Sequence, residues 1–191
     1  MKIAICVGHS RWGDKGSVSV DGTSEWEYNV KVADYLENML KDQGFEVLLV
    51  DQYPRNNYVS AMRWLGKHLK EWGADLAIEL HFNGAGPKAE GYEQLYWKGS
   101  SNGRFFAFCL NEAQKADDKG APNRGIKYRP GERPSEKRGI AFLKYTHCPA
   151  VINEPFFGSS QTDWDRWQYK KKELATIINN GITKYAASHM A

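Results

Sequence analysis

Apolar and polar positions run along this chain in two rhythms. Three short stretches, KIAICV (2–7), FEVLLV (45–50) and ADLAIEL (74–80), are nearly continuous in apolar, often β-branched residues. That is the pattern of strands buried on both faces. Between them the period lengthens to that of a helix. Residues 25–43 align Val32, Leu36, Met39 and Leu40 on one stripe and stop at Gly44, and residues 57–72 form a second helical stretch that stops at Gly73. Glycine is the residue that most readily takes the left-handed conformation closing a helix. This βαβαβ order predicts parallel strands joined by crossover helices. Farther on, GYEQLYW (91–97) reads as a fourth strand and SNGRFFAFCLNEAQK (101–115) as a helix. Residues 118–138 read as a basic, loop-rich stretch, PAVINEPFF (149–157) as a late strand and 161–184 as a closing helix. The fold expected is a single α/β domain over residues 1–187, with a twisted, mostly parallel β-sheet and helices on both faces. Ser188–Ala191 look like a cloning remnant or disordered tail.

Composition narrows the function classes. With 191 residues, 41% hydrophobic and 26% charged, the chain is an ordinary globular one. It has no apolar run long enough for membrane insertion, and its N-terminal strand is too short for a signal peptide. A net charge of +3 is too small to argue for nucleic acid. Cys6, Cys109 and Cys148 are odd in number and widely spaced, which excludes a disulfide framework and a CxxC-type structural zinc site. Trp12, Trp26 and Trp97 could line a groove, although packing is the commoner use of such residues. The protein is expected to be a monomer.

In parallel α/β sheets, ligands gather beyond the carboxyl ends of the strands. His9 follows the first strand, His81 follows the third, and Glu154 lies near the end of the last. The loop CVGHSRWGDKG has the glycine spacing of a phosphate loop at Gly8 and Gly13. It continues Asp14-Lys15-Gly16 where Lys and Ser or Thr are required, so that reading fails. A serine elbow fits poorly, because Trp12 stands where the closing glycine belongs and would crowd the tight turn. A metal ligand needs partners, and the first helix offers one. Ser24 and Glu27 have the spacing of a capping box, which gives Glu27 a structural task. Counting back from Val32 along the apolar stripe reaches Asn29 and Glu25, so Glu25 points inward, where a carboxylate requires a partner. His9, Glu25 and His81 make a set of two histidines and one carboxylate with an open position, as in catalytic zinc sites. The same donors would also suit non-haem iron. His68 and His147 read as bystanders, and Asn83 as a loop-orienting residue.

VGHSRWGDKG, Glu25-x-x-x-Asn29, DLAIELHFN, NRGIK and PAVINEPFF occur in that order, and together they resemble the zinc-dependent N-acetylmuramoyl-L-alanine amidases of the amidase-3 type. The resemblance runs from residue 2 to about 184. It implies that His9, Glu25 and His81 are zinc ligands for one Zn2+ ion and that Glu154 is the catalytic glutamate. It implies peptidoglycan as substrate, cut at the amide between N-acetylmuramic acid and L-alanine. The size is similar to a phage endolysin catalytic domain, made in the cytoplasm of a host bacterium and reaching the wall by release or another route. The chain departs from the pattern at Ser10-Arg11, at Glu79 where serine is common, and at Asn153 to Phe156. Two other readings compete: a zinc peptidase acting within peptides, and a non-catalytic wall-binding module. The plainer reading of Glu154 is a strand-end carboxylate paired with Arg124 or Arg138, but inside an apolar run it needs a reason that catalysis supplies; the basic stretch between those two arginines could face stem-peptide carboxylates or merely solvent.

Overall fold

The computed structural model describes residues 1–10, 14–54, 57–132 and 140–189. Among these residues, twelve elements follow in chain order: β1 (Lys2–Val7), α1 (Glu25–Asp42), β2 (Glu46–Val50), α2 (Tyr58–Trp72), β3 (Leu76–Leu80), β4 (Tyr92–Trp97), α3 (Ser101–Asp117), β5 (Asn123–Arg129), α4 (Ala141–Tyr145), β6 (Ala150–Glu154), α5 (Gln161–Trp167) and α6 (Lys171–Ala187). The strands form one six-stranded sheet in the order β2-β1-β3-β6-β4-β5. β1 pairs in parallel with both β2 and β3, β3 with β6, and β4 with β5; only the β4–β6 pairing is antiparallel. The expectation of a mostly parallel α/β sheet is therefore met.

Alternation along the central strands divides the core in two. Ile3, Ile5 and Val7 face one side with Leu76, Ile78, Leu80 and Val151, under α1, α3 and α6. Ala4 and Cys6 face the other with Ala77 and Ile152, under α2 and α4. Successive strand residues point to opposite faces, so covering both faces explains why these segments read as unbroken apolar runs.

α1 begins where its sequence says it should. Ser24 Oγ accepts the Glu27 N–H at 3.3 Å, and Glu27 Oε2 accepts the Ser24 N–H at 3.1 Å, closing the capping box. Tyr28, Val32, Leu36 and Leu40 are fully buried along its inner face. Each of the three aliphatic side chains, Val32, Leu36 and Leu40, contributes roughly 1.5–3 kcal/mol by leaving water. Gly44 and Gly73 both have left-handed φ values, +85° and +78°, at the ends of α1 and α2.

Two expectations are corrected. The stretch 118–138 contains a strand, β5, rather than only loop. β5 lies at the sheet edge and is only partly buried, so it can carry Arg124, Lys127 and Arg129 and shows little apolar signal. The closing helix 161–184 is two helices, broken at 168–170, where Tyr169 turns out to solvent. Trp164, Trp167, Leu174 and Ile178 keep helical spacing straight across the break, so periodicity could not reveal it.

Gly66 in α2 lies so close to α4 that an added Cβ would sit 2.3 Å from the Tyr145 carbonyl oxygen. In an exposed helix, Gly→Ala is favourable by about 1 kcal/mol. Here Gly66→Ala should lower stability instead, and Ser24→Ala should lower it by about 1 kcal/mol. Urea unfolding of both variants checks this, and a stabilised Gly66→Ala chain would contradict the close α2–α4 packing.

Candidate metal centre

The edge of the sheet formed by the carboxyl ends of β1, β3 and β6 brings together residues far apart in sequence. Gly8 N donates to Leu80 O at 2.9 Å and His81 N to Asn153 O at 3.1 Å, so the ladder carries on past the strand ends. His9 then turns with φ at 67°, the one non-glycine residue with positive φ among the described residues. Such a conformation costs on the order of 1–3 kcal/mol and persists where surrounding contacts hold it. A Cβ on Gly8 would meet the His81 ring at 2.3 Å, so only glycine lets that imidazole lie against the backbone.

Glu25, the first residue of α1, occupies the middle. Its Oε1 lies 2.6 Å from His81 Nδ1 and accepts the Phe82 N–H at 3.2 Å. Its Oε2 lies 3.4 Å from His9 Nε2 and accepts the Ser17 N–H at 2.9 Å. The outer nitrogens of the two imidazoles also face carboxylates. His9 Nδ1 lies 3.0 Å from Asp14 Oδ2, and His81 Nε2 lies 3.1 Å from Glu79 Oε2. These two are contacts at ion-pair distance rather than aligned hydrogen bonds, since His9 Nδ1 and Glu79 Oε2 count as buried atoms without a hydrogen-bond partner. The rings stand nearly perpendicular, at 82°, with centroids 5.1 Å apart.

Burial pushes the Glu25 carboxyl up, but the His81 charge and hydrogen bond, His9 and the Ser17 N–H outweigh it and hold the pKa below the usual range. Burial likewise opposes an imidazolium at His81, yet Glu79 and Glu25 raise it well above the histidine range. Glu154 is the opposite case. Its Oε2 is sealed from water and has no hydrogen-bond partner. Burial first, then Glu25, Glu93 and Glu79 against the opposing pull of His81, raises its pKa to about 8. His9, Glu25, His81 and Glu154 line one cavity of about 350 Å³, together with Tyr58, Asn83 and Ile152.

The donor set suits a divalent cation. One ligand atom from each of His9, Glu25 and His81 can be chosen so that all lie within 4.8 Å of one another. The 3.4 Å between His9 Nε2 and Glu25 Oε2 equals the spacing of two ligands about 2.1 Å from a tetrahedral ion. Glu25 and Glu79 place two carboxylates in a nearly dry site, a charge that a divalent ion would balance.

The structure thus places His9, Glu25 and His81 together, with Glu154 in the same cavity, and turns Glu27 away into the cap. Glu154 does not pair with Arg124, which donates through Nε to Glu93 at 2.8 Å; Arg138, Arg11 and Trp12 lie outside the described residues. Asn83 ties the loop after β3 to the segment after β6 through Phe156 and Gly158. Trp26 donates its indole N–H to Asp51 O, and Trp97 lines a separate cavity with His147 and Cys148. Neither is part of this site. His68 stacks on Trp64 away from it. The sequence reading passed over Asp14 and Glu79 as partners of the histidines. The signal for Glu79 was present: a carboxylate inside an otherwise apolar strand.

A family model described as N-acetylmuramoyl-L-alanine amidase, Amidase_3, matches residues 3–184. No curated protein matches the chain. Among solved structures, the catalytic domain of the CD27L endolysin targeting Clostridia Difficile is 26% identical, with a TM-score of 0.79 over 96% of this chain and 97% of that one. The CwlD amidase from Clostridioides difficile, solved in complex with the GerS lipoprotein, is 22% identical with a TM-score of 0.82, covering 98% of each chain. An N-acetylmuramoyl-L-alanine amidase from Clostridium difficile 630 is 22% identical with a TM-score of 0.81, covering 98% of this chain and 97% of that one. The last two likenesses speak for the fold.

The raised pKa of Glu154 sets a pH dependence for the metal-free chain. Between the ordinary carboxylate range and about pH 8, the folded state holds a proton that the unfolded state has released. Stability therefore falls as pH rises through that window. Glu154→Gln removes this loss: thermal melts of the metal-free proteins should diverge above about pH 5, with the variant more stable at alkaline pH. Parallel melting curves for the two proteins would contradict the buried, unpaired state of this carboxyl.

Proposed function

The chain belongs to the Amidase_3 family and is an N-acetylmuramoyl-L-alanine amidase; on that premise we propose that it is a zinc-dependent hydrolase of peptidoglycan, with His9, Glu25 and His81 holding one zinc ion and Glu154 moving the protons. The bond cut is the amide between the lactyl group of N-acetylmuramic acid and the L-alanine that starts the stem peptide. The observation that carries this reading is Glu25 seated between the two imidazoles, in the cavity that also holds the unpaired Glu154 oxygen.

A zinc ion held by His9, Glu25 and His81 would supply Lewis acidity for the scissile carbonyl and for a water molecule. The protein's own groups supply the rest. Glu154 has an oxygen free of other partners, so it can take a proton from the attacking water and deliver it to the departing alanine nitrogen. Its pKa of about 8 without a cation would fall when positive charge enters the cavity, which brings it towards the range where one carboxyl can both accept and donate. The Ser17 and Phe82 N–H groups keep Glu25 in place as a carboxylate. The likeness to an endolysin catalytic domain supports a lytic use of this activity.

Two substitutions separate the roles. Glu154→Ala should retain stoichiometric zinc and lose hydrolysis by roughly 10²–10⁴-fold, whereas His81→Ala should lose both. Metal content and release of new N-terminal L-alanine from purified peptidoglycan are the readouts. Full turnover by Glu154→Ala, or cuts confined to the interior of the stem peptide, would sink the proposal.

A further inference from the structure

Each imidazole at the centre has carboxylates on both sides, but the two pairs differ. For His9, the outer carboxylate is Asp14, whose side chain is 65% exposed. For His81 it is Glu79, whose side chain is 1% exposed. Glu79 and His81 are two apart at the end of β3, so they stand on the same face of the chain. Opposite Glu79 in the sheet lies Cys6 of β1. Burial first, and then the Glu79 charge, push up the pKa of the Cys6 thiol and of the Tyr53 and Tyr58 hydroxyls. No cation other than His81 is at ion-pair distance from it among the described residues.

An imidazole that binds a metal gives the lone pair of one nitrogen and carries its proton on the other, where it needs an acceptor. In His81, Nδ1 faces Glu25, the group it shares the site with, and Nε2 faces Glu79. Glu79 Oε2 is buried without an aligned hydrogen-bond partner and lies 3.1 Å from Nε2, so a proton on Nε2 is the donor within its reach. We propose that Glu79 is a positioning residue: it holds His81 in the tautomer protonated at Nε2, turns the Nδ1 lone pair towards the metal and raises its basicity. The inference rests on the zinc reading of the site given above.

The test uses the whole chain, stripped of metal and titrated with zinc against a chromophoric chelator. Glu79→Gln keeps the shape and removes the charge; Glu79→Leu removes the acceptor. Zinc affinity should fall about tenfold for the first and towards a hundredfold for the second. A carboxylate that only filled space would change the melting temperature of the metal-free chain and leave zinc affinity alone. Long-range ¹⁵N–¹H spectra of zinc-loaded wild-type protein should show a slowly exchanging proton on His81 Nε2, a readout that stands even if Glu79→Leu fails to fold. Wild-type affinity in Glu79→Gln, or a proton found on Nδ1 in place of Nε2, overturns the inference alone. A wild-type chain that takes up no stoichiometric zinc overturns both it and the metal reading on which it rests.

Discussion

Glu25 is a carboxylate with almost no access to water, lodged between two imidazoles, and the structure around it exists to make that tolerable. Removing an ion of this kind from water carries a penalty of several kcal/mol unless its lone pairs are met. They are met by backbone N–H groups from two other segments, Ser17 before the helix and Phe82 after β3, and by the rings of His9 and His81. The positive end of α1 adds to this, since Glu25 is its first residue. One side chain therefore draws together the loop after β1, the start of α1 and the end of β3. The strained backbone of His9 and the bare Cα of Gly8 are what that convergence demands.

The sheet sets the rest of the site's charge. β4 runs against β6, so Glu93 is the direct partner of Glu154 and stands on the same face. A second carboxylate there discourages Glu154 from ionising. Arg124 and Lys127, on the edge strand β5, spend their charge on Glu93. The basic stretch, read from sequence as facing either stem-peptide carboxylates or solvent, is at these two positions a counterweight that lets two glutamates stand side by side. A carboxyl that burial keeps protonated, Glu154, and one that its partners keep ionised, Glu25, thus line one cavity.

Much of this was legible from residue order alone. Continuous apolar runs marked β1, β2 and β3, and two glycines marked the ends of the helices between them. The choice of Glu25 over Glu27 came from one capping box, because a residue bonded into the cap cannot also face inward. What stayed hidden lacked a local signature. β5 is an edge strand whose outward positions are basic, so nothing in its pattern separates it from loop. The break between α5 and α6 preserves the apolar phase on both sides. Glu93 is visible only once β4 is known to be reversed beside β6, a pairing between distant segments that no window of sequence records. Glu79 was conspicuous as a charge in a buried run, but its partner was named only by the position of the His81 ring.

The place of β6 in the sheet has a consequence in time. β3 and β4 are consecutive strands in the chain, yet β6 lies between them in the sheet. His9, Glu25 and His81 all belong to the first 81 residues, in the contiguous β1–β3 unit, whereas Glu154 arrives some seventy residues later on the inserted strand. A chain emerging from the ribosome has His9, Glu25 and His81 well before it has Glu154. Until β6 takes its place between β3 and β4, the cavity lacks the wall that carries Glu154.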